Sequence, residues 1–247
     1  MFAEWKAKAL HWNAKLETAK IKSKIDKLES TNLSTLNWVG DSTIKALLEN
    51  WISSLDELKE AFQEHEGSED IELLTAYSLE RDQESWDLIF KWLNKEDNPL
   101  AGLTIAFGRI TVPEAEKLAG ELKKTGDSFK KLEIENNEQS QAINSEVVNE
   151  IIKGITGKTS LRRVRFSANN MALDEVKLIV EMLANNPQLE ELILQENNIG
   201  NKGALLLAKS VAKHPSLRKF YLSENCIDVR DPEVFRAFRS MLVANHS

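Results

Sequence analysis

The stretch that decides the fold is LEELILQENNIGNKGALLLAKSVAKHPSL, residues 189–217. Leucine occupies positions 189, 192 and 194, and Asn197 follows three residues later. The alternation within this frame is typical of a short strand that is buried on one face. In the segment after the asparagine, apolar residues recur every three or four positions, as in an amphipathic helix. The stretch therefore predicts one strand, a turn and one helix.

The frame apolar-x-x-apolar-x-apolar-x-x-Asn recurs along the second half of the chain. Its other copies are Leu100, Leu103 and Ile105 with Gly108 in place of the asparagine; Phe129, Leu132, Ile134 and Asn137; Leu161, Val164, Phe166 and Asn169; and Leu217, Phe220, Leu222 and Asn225. Successive copies begin 29, 32, 28 and 28 residues apart. Such a period is the signature of a solenoid. We expect an α/β solenoid of about five strand–helix units, with parallel strands on a concave face and helices on the convex face.

Between successive frames, apolar residues recur every three or four positions, which predicts a helix in each interval. Pro113 suits a first helical turn, and Pro187 and Pro215 end helices. A last helix is predicted at residues 231–244, where it would cap the solenoid. The frame asparagines have a structural role in this scheme, because a side-chain amide can pair with turn backbone groups that would otherwise be buried without partners. These residues are Asn137, Asn169, Asn197 and Asn225.

The repeated units resemble leucine-rich repeats of the ribonuclease-inhibitor type, over roughly residues 100–247. The chain departs from that pattern at Gly108 and in its long second unit. The resemblance implies a horseshoe used for protein–protein recognition and implies no enzyme. It also suggests a similarity to the short leucine-rich repeat effectors that intracellular bacterial pathogens deliver into host cells, with which a Lys-, Asn-, Ile- and Glu-rich composition and a lone cysteine are compatible.

The first 98 residues differ in composition from the rest. All six tryptophans lie there, at positions 5, 12, 38, 51, 86 and 92. The spacing predicts four helices: one over residues 2–29, a second from Asp41 or Ser42 to Gly67, a third capped by Ser68 and a fourth capped by Asp82. We therefore expect an all-α bundle at 1–98 that caps the repeats, and a leucine-rich-repeat domain with a C-terminal capping helix at 99–247.

Bulk properties narrow the possible functions. A net charge of −7 argues against binding nucleic acid through phosphate attraction. The single cysteine, Cys226, excludes an internal disulfide and favours a reducing compartment; its position in the frame predicts a buried thiol. No apolar stretch approaches the length of a membrane span, and no secretory signal is visible, so we expect a cytoplasmic protein or an effector exported by another route. No motif in the sequence indicates a metal site, cofactor, small-molecule substrate or catalytic residue.

The concave face is the predicted partner-binding surface. Its x positions carry charged and aromatic side chains, which in neighbouring strands form rows such as Lys131, Arg163, Glu191 and Lys219. The predicted binding residues are Phe107, Lys130, Lys131, Arg162, Arg163, Arg165, Glu190, Glu191, Gln195, Tyr221 and Glu224. The same charges could also form ordinary cross-strand ion pairs.

The leading functional hypothesis is therefore a non-catalytic module that binds a partner protein, such as a host protein, through the concave face. One alternative is a membrane-associated scaffold, since the basic, Trp-containing segment 1–30 could lie on an anionic membrane, although packing into the bundle is favoured over membrane contact. The other is a ubiquitin-ligase-type adaptor that uses the N-terminal helical region to engage the ligase.

Overall fold

The computed structural model describes residues 51–52, 74–77, 83–94, 100–106, 110–135 and 145–244, the first two ranges by backbone alone. Residues 50–247 form one compact unit, and residues 1–49 are assigned to a second. The helix predicted over residues 2–29 lies outside the described residues, and so does segment 1–30, for which membrane contact was the less favoured alternative.

The described residues form strands and helices in alternation. The strands are β1 (Trp51–Ile52), β2 (Leu74–Tyr77), β3 (Gly102–Ala106), β4 (Lys131–Glu135), β5 (Arg163–Ser167), β6 (Glu191–Ile193) and β7 (Lys219–Tyr221). The helices are α1 (Gln83–Leu93), α2 (Val112–Lys124), α3 (Ser145–Ile155), α4 (Leu173–Asn185), α5 (Gly200–Val211) and α6 (Pro232–Ala244). The strand and helix predicted from each frame after residue 99 are confirmed.

One parallel sheet runs through the unit in the order β1-β2-β3-β4-β5-β6-β7. The strands are in register, so that equivalent frame positions lie side by side. Leu132 pairs with Val164, and Leu192 pairs with Phe220. The predicted row Lys131, Arg163, Glu191 and Lys219 is confirmed by the same pairing.

The core lies between the sheet and the helices. Frame residues such as Leu132 and Val164 are fully buried, and so are Ile151, Ile179 and Leu207 from the helices. Each buried aliphatic side chain of this size contributes about 1.5–3 kcal/mol. Sequence periodicity finds this core because one face of each strand and one stripe of each helix must be apolar to form it.

At the start of two helices, a glutamate in the first turn accepts a hydrogen bond from a backbone N–H group. The Thr111 N–H donates to Glu114 Oε2 at 2.7 Å, and the Ala172 N–H donates to Glu175 Oε2 at 2.8 Å. Pro113 lies in the first turn of α2, as predicted, where the amide hydrogen that proline lacks is not needed.

The all-α prediction for residues 1–98 is wrong at two places. Trp51–Ile52 and Leu74–Tyr77 are strands that extend the parallel sheet, where the sequence indicated the second and third helices. The fourth helix is confirmed as α1, and it packs beside α2, with Lys117 Nζ 3.0 Å from Asp87 Oδ1. Strands β2 and β3 flank α1 in the chain, so this segment has the strand–helix order of a repeat. The division at residue 98 into two domains stays a prediction.

The turns from helix to strand hold a second set of buried polar side chains. Asn186 donates its amide hydrogens to the carbonyls of Ile155 and Lys158 and accepts the Gly157 N–H at 2.8 Å. His214 takes the equivalent place one repeat later. Its Nε2 lies 3.1 Å from the Asn186 carbonyl, and its Nδ1 accepts the Leu217 N–H at 3.0 Å. This pattern requires a neutral ring with hydrogen on Nε2, in a structural role.

His214 should make stability depend on pH. Burial lowers the pKa of its imidazole, although hydrogen bonds to the carbonyls of Asn186 and Leu183 act in the opposite sense. The unfolded chain therefore binds a proton more readily than the folded chain. The stability contribution is present above the usual histidine pKa and is lost as the pH falls below it through the lower pKa of the folded state. Since asparagine serves the equivalent position 186, we expect His214→Asn to fold and to remove this dependence.

The measurement is the Tm of parent and variant between pH 7.5 and 5. Carboxylates titrate in both proteins, so the difference between the two curves isolates the histidine. A protonated Nδ1 can no longer accept the Leu217 N–H, and losing that hydrogen bond costs about 1 kcal/mol. At low pH the Tm of the parent should therefore fall by about 2–4 °C more than the Tm of the variant. Parallel curves would show that His214 protonation is not coupled to folding.

Candidate functional site

One face of the sheet, here called the open face, has none of the described helices packed on it. Among the fully described strands its side chains come from β4 to β7 and are mostly charged: Lys131, Glu133, Glu135, Arg163, Arg165, Ser167, Glu191, Ile193, Lys219 and Tyr221. The register places them in rows across the strands. The sequence-derived concave surface corresponds to this face.

A chain of ion pairs crosses the middle of the open face. Arg163 lies between two carboxylates, with its Nε 2.7 Å from Glu133 Oε1 and its Nη1 2.7 Å from Glu191 Oε2. Lys131 Nζ lies 3.2 Å from Glu133 Oε2, and the Thr104 hydroxyl donates to the same oxygen at 3.0 Å. The cross-strand ion pairs anticipated from the sequence are therefore present.

Glu133 is the buried centre of this network, only 6% exposed. Burial raises the pKa of its carboxyl, but Lys131 and Arg163 together outweigh burial and hold the pKa below its usual value. The carboxylate consequently stays ionised at neutral pH and fixes Arg163, whose side chain has lost its freedom before any partner arrives. A surface ordered in advance costs less to bind.

The negative charge of Glu135 is less fully neutralised by its neighbours than that of Glu133. Arg165 Nη2 lies 3.1 Å from Glu135 Oε1, and Arg165 Nε also donates to the Ser167 hydroxyl at 3.0 Å. Burial raises the pKa of Glu135 and the carboxylates of Glu196 and Glu133 raise it further, against the opposing effect of Arg165. The side of the face where the strands end therefore has an excess of negative charge.

The charge on the open face is graded along the strands. Where β4 to β7 begin, six bases stand against two acids: Lys130, Lys131, Arg162, Arg163, Arg218 and Lys219 against Glu190 and Glu191. Where they end, the described positions carry Glu135, Glu196 and Glu224 and no base. Glu196 and Glu224 are exposed and share a left-handed backbone, with φ of 56° and 57°. The face is basic at one rim and acidic at the other.

The predicted binding residues fall into three groups: residues held by ion pairs, exposed residues, and the three that remain. Lys131, Arg163 and Glu191 are held in the network around Glu133, and Arg165 is held separately by Glu135 and Ser167. Lys130, Glu190 and Glu224 are exposed at the rims, and Tyr221 is 42% exposed at the last strand.

The remaining predicted residues include two with modest contacts. Arg162 Nε lies 3.7 Å from Glu190 Oε1, and Gln195 Nε2 donates to the Ser223 hydroxyl at 2.6 Å. Phe107 lies outside the described residues. Sequence reasoning missed the contributions of Thr104 and Glu133, because nothing in the pattern of strand β4 distinguishes Glu133, covered by its neighbours, from Glu135.

The frame asparagines support the strand ends from within. Asn197 Nδ2 donates to the carbonyls of Phe166, Leu194 and Gln195, and its Oδ1 accepts the N–H groups of Asn169 and Met171.

The neighbouring frame asparagines repeat this arrangement in part. Asn169 donates to the carbonyls of Ile134 and Ser167, and Asn225 to those of Leu194, Leu222 and Ser223. These amides link successive repeats, whereas Asn137 lies outside the described residues.

Cys226 was predicted to be a buried thiol, but it is exposed. Its backbone has a φ of 54°, which turns the residue after Asn225 away from the core. Within the described ranges no three His, Cys, Asp or Glu side chains are grouped to hold a metal ion. The helices described here include none that is long and apolar enough to span a bilayer.

What the open face offers chemically is recognition by charge. Fixed rows of guanidinium, ammonium and carboxylate groups, with the exposed phenol ring of Tyr221, can pair with a charged protein surface. Comparison with known families supports the repeat assignment. No curated protein matches the sequence. Residues 185–208, which include the end of α4, β6 and most of α5, match the family model described as Leucine Rich repeat.

Proposed function

We propose that this chain is a non-catalytic module that binds a partner protein through the open face. Leucine-rich repeats generally mediate protein–protein interaction, which supports the class of function. The single observation that carries the proposal is the network around Glu133 and Arg163, which presents charged side chains in a fixed arrangement before binding.

The charge gradient indicates the chemistry of the partner. Its carboxylates would face the rim where the strands begin, near Lys130 and Arg218, and its basic groups would face Glu196 and Glu224. The two rims are separated by the five residues of β4, about 16 Å at the usual rise per residue. A partner that is acidic at one end and basic at the other fits in one orientation only, because the reverse orientation would place like charges together.

The test is affinity capture from eukaryotic cytosol with rim variants. Lys130→Glu with Arg218→Glu reverses two exposed bases that have no ion-pair partner among the described residues. Glu196→Lys with Glu224→Lys reverses the opposite rim. Each pair should reduce capture of the same protein at least tenfold, about 1.4 kcal/mol. Arg163 and Arg165 are left unchanged, since reversing them would deprive the buried carboxylates of their counter-charges.

A matched control reverses two exposed lysines at the helical side of a repeat, Lys209→Glu with Lys213→Glu. This pair changes the net charge as much as the basic-rim pair does and should leave capture intact. Equal capture by all variants would show that the open face is not the binding surface. Equal loss with the basic-rim and control pairs would show attraction by net charge alone.

The narrower form of the proposal is that the chain is a ribonuclease-inhibitor-type repeat protein acting as a bacterial effector on a host protein. Its support is the resemblance and the composition. Capture of one protein from host cytosol, lost with the rim variants, is the outcome that this form requires. The scaffold and adaptor alternatives depend on residues outside the described ranges and stay predictions.

A further inference from the structure

The end of the sheet at β7 leaves core residues incompletely covered. Phe220 and Leu222 occupy the frame positions of Leu192 and Leu194 one repeat earlier. Those two leucines are 0% exposed, whereas Phe220 and Leu222 are only half-buried. The difference arises because Leu192 and Leu194 have a further strand beside them and the last repeat has none among the described residues.

Helix α6 is uncovered at the same end. Its Val234 and Met241 are buried, while Phe235, Leu242 and Val243 are 61%, 55% and 68% exposed. Phe235 and Leu242 are seven residues apart, two helical turns, and so form one stripe. The preceding helix α5 exposes one large apolar residue, Leu206, at 37%.

The backbone of β7 has one free edge. The N–H of Lys219 donates to the Glu190 carbonyl, and the Tyr221 carbonyl accepts the Leu194 N–H, so these two residues point towards β6. Because successive residues of a strand alternate, the N–H and C=O of Phe220 point to the opposite edge. No described strand pairs with that edge.

We propose that a second copy of this chain occupies this end, with β7 pairing antiparallel to β7 of the other copy and α6 packing against its α6. The free edge belongs to the last described strand and the apolar stripe to the last described helix, so an occupant that covers both must offer a strand and a helix. The last repeat of a second copy offers both. A two-fold axis perpendicular to the sheet brings strand to strand and helix to helix.

Side chains on both layers are self-complementary across this axis. With Phe220 opposite its own copy, the two residues exchange N–H···O=C bonds, and Lys219 stands opposite Tyr221 of the other copy. A lysine ammonium against an exposed phenol ring is a favourable pair. In the helix layer an antiparallel arrangement places Phe235 against Leu242 of the other copy.

The area and charge predict a weak dimer. The α6 stripe removes several hundred Å² per copy on the usual scale of aromatic and aliphatic side chains, and with the β7 edge the total reaches roughly 1,200 Å², the low end for specific interfaces. Arg239 lies within the stripe and near the axis, so the two copies bring like charges together. The dimer should therefore strengthen with salt, and Arg239→Leu should tighten it.

The experiment is sedimentation equilibrium of the full chain from 1 to 200 µM, in reducing agent and repeated with Cys226→Ser to exclude a disulfide. We expect the mass to rise from 28.0 kDa towards twice that value, with a dissociation constant on the order of 10 µM. Phe235→Glu and Leu242→Glu should each raise it at least tenfold and leave the Tm at low concentration unchanged, since both side chains are exposed. Leu206→Glu is the matched control and should dimerise as the parent does.

Three outcomes would overturn the proposal. The first is a mass that stays at 28.0 kDa at the highest concentration. The second is a dimer that Phe235→Glu and Leu242→Glu do not weaken, which would place the contact elsewhere. The third is growth beyond two copies, which would indicate head-to-tail stacking in place of a two-fold contact. The partner-capture result does not bear on any of them.

Discussion

Gly154→Ala is expected to lower the free energy of unfolding by about 3 kcal/mol, the upper range for overpacking a core. A Cβ at this position would lie 2.6 Å from Ala119 Cα, 2.7 Å from Ala119 Cβ and 3.0 Å from the Ala119 carbonyl oxygen. Two of these atoms belong to the backbone of α2, so relief requires α2 and α3 to move apart. Thermal melting should show a drop of roughly 6–12 °C.

Gly120→Ala is the matched control for this substitution. Gly120 lies in α2 next to Ala119, and a Cβ there would meet no atom within 4 Å. Because glycine weakens a helix interior, this change should stabilise the chain by about 0.5–1 kcal/mol. The same chemical change in two neighbouring helices thus has opposite expected signs. Equal and small effects would mean that α2 and α3 are further apart than the structure places them.

The close contact at Gly154 shows what local patterns cannot reveal. From sequence, a glycine that ends an apolar helical run indicates a helix terminus, and Gly154 is the last residue but one of α3. That position does not by itself explain why an alanine would not fit. The need for glycine comes from α2 in the preceding repeat. Sequence periodicity predicts which face of a helix is buried, but it does not predict the distance to the neighbouring helix.

The same limit explains the error in the first hundred residues. Leu47, Leu48, Trp51, Ile52 and Leu55 fit a helical period, and a strand of two residues is too short to oppose it. In β2, Ala76 stands where later frames have a large apolar residue, and Leu79 stands where they have asparagine. Pairing with β3 makes this segment a strand, and that pairing is a tertiary effect.

The rows of the open face were predictable because register follows from a repeated frame. The ion pairs Glu133–Arg163 and Arg163–Glu191 follow from that register. The register does not reveal how deeply each side chain in a row is buried. Burial raises the pKa of Glu135, and Glu196 and Glu133 raise it further. By contrast, Lys131 and Arg163 outweigh burial and lower the pKa of Glu133. Two glutamates on the same face of one strand therefore have pKa values displaced in opposite directions.

Asn197→Ala is expected to cost about 3 kcal/mol, because it leaves three carbonyls and two N–H groups of two successive repeats without this partner. The loss should appear as a lower midpoint in urea unfolding. The control is Asn198→Ala, whose side chain is exposed and whose replacement should change stability by less than about 0.5 kcal/mol.

Asn225→Ala should fall between these two variants. Its Nδ2 donates to three carbonyls, but its Oδ1 accepts no hydrogen bond from the described residues, so its removal leaves fewer groups unpaired. The expected order of stability is Asn198→Ala above Asn225→Ala above Asn197→Ala. The first difference measures the hydrogen bonds that Nδ2 donates, and the second measures the additional bonds that Oδ1 of Asn197 accepts. Identical midpoints for Asn197→Ala and Asn198→Ala would show that water replaces the amide at no cost and that the repeats are held together by apolar packing alone.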